Sequence, residues 1–115
     1  MAGIFGRLFN RPAPEPRWVE VDELRRRLAG AETPLVVDVR GADEFVGPLG
    51  HIDGARNIPL PELGAYQAEL RATARSVVCV CLTDKRSAAA AARLAEIGVP
   101  DVAVLRGGMK AWRER

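Results

Sequence analysis

Two cysteines stand two residues apart in the apolar run Ser76-Val77-Val78-Cys79-Val80-Cys81, and the character of the chain changes immediately after them. Leu82-Thr83-Asp84-Lys85-Arg86 interrupts the run, and Ser87 opens an alanine-rich stretch that closes at Ile97 before Gly98. That order predicts a buried strand through Cys81, a five-residue turn, and a helix from about Ser87. Ligands of open α/β sheets sit beyond the carboxyl ends of strands, against the N-terminus of the next helix. A thiol placed there meets the positive end of a helix dipole, the N–H groups of the turn, and the cations Lys85 and Arg86. Each of these favours thiolate over thiol. An ordinary cysteine with a pKa near 8.5 is only about 3% thiolate at pH 7, so a nucleophile needs such help. Cys81 is the candidate nucleophile. The amides of Leu82, Thr83, Asp84, Lys85 and Arg86, with the Arg86 guanidinium, form the candidate cradle for an anion or a persulfide. The bland alternative for Cys81 is a small buried hydrophobe at a strand end. Cys79, on the same side of the strand with valines on both sides, reads as a buried, inert thiol. A disulfide between positions i and i+2 is geometrically awkward.

Asp38 and Arg40 end a second apolar run, Leu35–Val39, and stand near the same edge of the expected sheet. A partly buried aspartate is costly unless paired, so the two side chains are expected to satisfy each other. His51 is the single histidine, which rules out a multi-histidine metal site, and neither metal nor cofactor is expected.

The elements that position these residues follow from periodicity. Leu35–Val39, Ser76–Cys81 and Val102–Leu105 lack in–out alternation, the habit of strands covered on both faces in a parallel sheet. Trp18–Val21 is a further strand candidate, and Asp22 is the expected N-cap of a helix over Glu23–Ala29 that stops at Gly30. Pro61 fits the first position of a helix with Leu63, Tyr66 and Leu70 on one face. A last short helix is expected over Met109–Arg113. Strands alternating with helices argue for an α/β domain with right-handed crossovers.

Composition bounds the function. The 115 residues fit one domain, and 17 basic against 15 acidic residues leave a net charge of +2, which gives no electrostatic case for nucleic acid. No apolar run approaches the roughly 20 residues that span a bilayer, and Met1–Phe9 has too few consecutive apolar residues for a signal-peptide core. A cytoplasmic location is expected, with the cysteines as thiols. Residues 1–16, which include the proline-rich RPAPEP, read as a flexible arm and linker, and 17–115 as the domain.

Four segments carry a family resemblance: Val36-Val37-Asp38-Val39-Arg40 with Glu44 after it, GHIDGARNIP at 50–59, CLTDKRS at 81–87, and LRGGMKAW at 105–112. Over about residues 17–115 the chain resembles a single-domain rhodanese-like sulfurtransferase. The resemblance implies a five-stranded parallel sheet with helices on both faces. It also implies transfer of sulfane sulfur through a cysteine persulfide on Cys81, from thiosulfate or a persulfide donor to a thiol or cyanide acceptor, a sulfur-relay protein included. On the same grounds Asp38 and Arg40 support the active-site loop, and the histidine of the Gly-His-Ile motif is structural. From Cys81 through Arg86 the loop spans six residues, the length seen in sulfurtransferases of the family. Related phosphatases and arsenate reductases use one residue more, which makes those activities the weaker enzymatic alternative. A non-catalytic rhodanese-like binding or regulatory module is the other alternative. Two residues depart from the family pattern. Asp84 replaces a frequent glycine, and Leu82 a frequent basic residue. Asp84 is expected either to face outward and pair with Lys85 or Arg86, or to face the cradle and oppose anions; in the second case a persulfide is a better donor than thiosulfate.

Overall fold

Each of the three apolar runs forms a strand. In the computed structural model, which describes residues 15–115, β2 spans Leu35–Asp38, β4 Val77–Val80 and β5 Val102–Leu105. Two two-residue strands, β1 (Trp18–Val19) and β3 (Arg56–Asn57), complete a five-stranded sheet in the order β1-β5-β4-β2-β3. All its pairings are parallel. Residues 1–14, most of the expected arm, lie outside the described residues.

The missing alternation has a direct cause. Leu35, Val37, Val77, Cys79, Cys81 and Val104 pack on one face with Leu63, Leu70, Ala90 and Leu94. Val19, Val36, Val78, Val80, Ala103 and Leu105 pack on the other with Leu24, Ile52, Met109 and Trp112. Both faces are therefore apolar. A 3₁₀ helix (Leu60–Tyr66), α3 (Gln67–Ala72) and α4 (Lys85–Glu96) supply residues to the first face. α1 (Val21–Leu28) and α5 (Gly108–Glu114) supply residues to the second. A single turn, α2 (Ala42–Phe45), follows β2.

Several boundaries differ from the sequence expectation: β1 stops at Val19, not Val21, because Val21 opens α1, and α5 runs one residue further at each end. α1 is capped at Glu20, not Asp22, because the Glu20 carbonyl accepts from the Leu24 amide at 3.0 Å and Val21 is already buried. Asp22 and Glu23 lie in the first turn, where acids suit the helix dipole. The helix expected from Pro61 starts as 3₁₀ and becomes α-helical only at Gln67; Gly64 in its middle weakens an α-helical turn. α4 begins at Lys85, two residues before Ser87, because the Ala88 amide reaches the Asp84 carbonyl at 2.9 Å. Lys85 and Arg86 thus belong to the first helical turn. α2 and β3 are too short to leave a periodic signal.

The chain leaves β2 for β3 at one edge of the sheet and leaves β4 for β5 toward the other. The crevice beyond the carboxyl ends of β2 and β4 is therefore the topological switch point, the usual ligand position in such sheets. Asp38 and Arg40 come to it from β2, and Cys81 from β4.

Candidate active site

Cys81 follows the last residue of the central strand, and the chain turns back over it at once. Its Sγ accepts a hydrogen bond from the Ser87 amide at 3.3 Å and lies 3.3 Å from the Ser87 hydroxyl. Ser87 is fully buried, and Cys81 retains 2% exposure. The sulfur is thus recessed, while Leu82, Thr83 and Lys85 around it are exposed. Ser87 had no assigned role from the sequence. Its place six residues after the cysteine, at the start of a helix, is the signal that marks it.

α5 holds the outer side of the loop. The Met109 amide donates to the Cys81 carbonyl at 2.8 Å and the Lys110 amide to the Leu82 carbonyl at 3.0 Å. Amides at a helix N-terminus have no partner within their own helix and are free to take such acceptors. The approach requires glycine at position 108. Its φ is +58°, and a Cβ there would collide with the carbonyl oxygens of Cys81, Leu82 and Thr83. Carbonyls drawn toward α5 are turned away from any role against a bound anion.

Arg40 and Asp38 form the expected pair, both 1% exposed. Arg40 Nη2 and Nε donate to the Asp38 carboxylate at 2.7 and 2.9 Å. The remaining donors go to backbone carbonyls, Nη1 to Glu44 at 3.1 Å and Nη2 to Gly50 at 2.7 Å. Asn57 Nδ2 donates to the Asp38 and Arg40 carbonyls at 3.1 and 2.9 Å, tying β3 to the same knot. The pair therefore braces the segment after β2 rather than facing a substrate. Its link to the Cys81 loop is Glu44, whose carboxylate takes both Nη1 and Nη2 of Arg86, at 2.8 and 3.0 Å. The Arg86 hydrogen bonds hold the Glu44 carboxyl down to about 2, and the Glu44 partnership in turn raises Arg86.

Asp84 makes neither of the ion pairs expected of it with Lys85 or Arg86 among the described residues. The residue caps α4 without a side-chain capping bond. Arg86 is engaged by Glu44 instead, because that carboxylate offers two oxygens to the planar guanidinium. His51 Nδ1 lies 2.9 Å from the Phe45 carbonyl, and its ring stacks on Phe45 with centroids 3.7 Å apart, so it positions the loop before β3. Cys79 is fully buried, and burial, with the nearby Cys81, pushes its thiol up to about 12. A cleft of about 680 Å³ lies at the opposite edge of the sheet, lined by Pro34 and Arg75 before β2 and β4 and by Arg25, Trp112 and Arg113. Arg25, Arg75 and Arg113 donate to backbone carbonyls.

A family model described as a rhodanese-like domain matches residues 20–115. The uncharacterized protein YqhL of Bacillus subtilis is 42% identical over 73% of this chain and 64% of its own length. The thiosulfate sulfurtransferase GlpE of Pseudomonas aeruginosa is 37% identical over 91% of this chain and 84% of its own. A rhodanese-related protein from Thermoplasma volcanium superposes with a TM-score of 0.74 at 28% identity, covering 85% of this chain and 91% of that structure. Several curated relatives are longer proteins, of which this chain spans 64%, 43% and 48%. The match over nearly all described residues and the shared architecture establish that the chain belongs to the rhodanese-like domain family.

Proposed function

We propose that the chain is a sulfurtransferase that moves sulfane sulfur from thiosulfate or a persulfide donor, through a persulfide on Cys81, to a thiol or cyanide acceptor. The observation that carries this is a single one: a recessed Sγ at the end of the central strand, with the Ser87 amide and hydroxyl at hydrogen-bond distance. Those two groups suit a sulfur that alternates between thiolate and persulfide, since both can donate to it when it carries charge.

The transfer is two displacements at sulfur. The Cys81 thiolate attacks the outer sulfur of the donor, the Sγ–S bond forms, and the donor's S–S bond breaks. Sulfite leaves if the donor is thiosulfate, and a thiolate leaves if it is a persulfide. The acceptor then attacks the terminal sulfur and Cys81 departs as thiolate. No proton moves to or from carbon, so a site without a histidine base is adequate to the task. The loop amides of residues 82–86 and Lys85 stabilise the anions, Arg86 ties the loop to Glu44, and Asp38 and Arg40 hold the frame. Both cysteines are free, which fits a reducing compartment; on this reading the location is the cytoplasm and the partners are a small sulfur donor and acceptor or a relay protein.

Cys81→Ser is the test. Cyanide-dependent thiocyanate formation and the gain of one sulfur in intact mass should both vanish, with the circular dichroism spectrum unchanged. Retained thiocyanate formation would sink the assignment. No gain of sulfur on the native chain from any donor would favour a binding module instead.

A further inference from the structure

We propose that the charge balance at the loop makes an organic persulfide, not thiosulfate, the preferred donor, with Asp84 and Glu44 as the residues that set the preference. The proposal rests on the sulfurtransferase reading above and narrows it.

Thiosulfate is a compact dianion, and its approach to a recessed sulfur calls for an excess of positive charge. The loop has none. Lys85 and Arg86 are opposed by Asp84 and Glu44, two cations against two carboxylates. Arg86 is further spent, since Glu44 takes both its terminal nitrogens at 2.8 and 3.0 Å. Asp84, half-buried at the N-cap of α4, has no cation within salt-bridge distance among the described residues. Arg40, the other guanidinium at this edge, is sealed and committed to Asp38 and to two carbonyls. Lys85, and Lys110 whose amide holds the Leu82 carbonyl, are left as exposed cations without a carboxylate partner among the described residues.

The residue next to Cys81 is apolar and exposed in turn. Leu82 at 40% and Val46 at 75% are the large hydrophobic side chains left exposed among the described residues. Leu82 follows Cys81 directly. Val46 follows α2, whose Glu44 grips the loop through Arg86. A persulfide R–S–SH fits these two properties together. With an uncharged R group it carries at most one charge, on the outer sulfur, and R supplies an apolar shoulder. The step balances without a redox partner. Cys81 thiolate attacks the outer sulfur, the Sγ–S bond forms, the R–S bond to that sulfur breaks, and RS⁻ leaves with the electron pair. Any proton on the outer sulfur stays there.

The experiment measures sulfur loading of Cys81 by intact mass under single-turnover conditions, with Cys81→Ser as background. The donors are thiosulfate and the persulfide of N-acetylcysteine methyl ester, whose R group is uncharged. The native chain should load faster from the persulfide. Asp84→Asn and Leu82→Lys should each move the ratio of the two rates toward thiosulfate by about tenfold, the effect of removing one like charge, or adding one cation, beside an anion. A native chain that prefers thiosulfate, or a ratio that neither substitution moves, overturns the proposal while leaving sulfur transfer intact. Loading from neither donor overturns the sulfurtransferase reading itself, and the proposal with it.

Discussion

Arg40 shows at the level of one residue how a charge becomes structural. Its guanidinium is buried yet fully used, by one carboxylate and two carbonyls drawn from residues 38, 44 and 50. A buried pair of this kind contributes little net stability over an apolar one, but losing one partner leaves the other charge stranded. Arg40→Ala should destabilise the fold by about 3–5 kcal/mol, read by urea denaturation; a loss below about 1 kcal/mol would mean that water reaches Asp38. The pairing was legible in the sequence, because an aspartate in an apolar run two residues before an arginine has few other ways to be satisfied. The role of Glu44 was not. It stands 42 residues from Arg86, and only the fold brings the two together. The same holds for the Asp84 carboxylate, whose neighbours Lys85 and Arg86 were the natural partners by sequence and are not its partners in space.

Among the elements, α5 is the one that shapes the loop after Cys81. Its Met109 and Lys110 amides hold the carbonyls of Cys81 and Leu82, and Gly108 makes the contact possible. Gly108→Ala meets both a left-handed φ of +58° and three backbone oxygens that cannot move aside as a flexible side chain can. The cost should be about 1–3 kcal/mol or more, accompanied by slower sulfur loading of Cys81, because the loop must shift to admit the methyl group. Gly64 is the matched control. Nothing lies within 4 Å of its Cβ position and its φ is not positive, so Gly64→Ala should leave stability unchanged or raise it by about 0.4–1 kcal/mol. Thermal melts of the two variants check the contrast; equal losses would refute it. The Gly107-Gly108 pair was visible as the opening of the last helix. Which loop it would face was not, since β5 and β4 become neighbours only when the sheet forms.

Across the whole molecule, the Glu44–Arg86 bridge is the tie between the β2 and β4 halves of the switch-point crevice. Glu44 is held at about 2 against an ordinary 4.5. A carboxyl depressed by folding adds stability that is complete above the unfolded value and disappears as pH falls through the folded one. The bridge should therefore help the native state above pH 4.5 and lose that effect between 4.5 and 2. Both side chains are more than a third exposed, at 38% and 40%, so solvent screening limits the contribution to about 1 kcal/mol or less. Melting temperatures of the native chain and of Glu44→Gln should differ by a constant amount above pH 4.5 and converge below it; a gap that persists at pH 2 would show that the glutamine variant lost something other than charge. By itself the sequence determined the parallel α/β class, the strand that delivers Cys81, the inert surroundings of Cys79 and the Asp38–Arg40 pair. These rest on local periodicity and on the cost of burying an unpaired charge, both of which act over a few residues. Tertiary structure alone decided that Ser87 would touch the sulfur, that α5 would hold the loop from outside, and that Glu44 would take the Arg86 guanidinium. Those contacts depend on which strands lie side by side, and sheet order is settled by the packing of both faces at once rather than by any stretch of neighbouring residues.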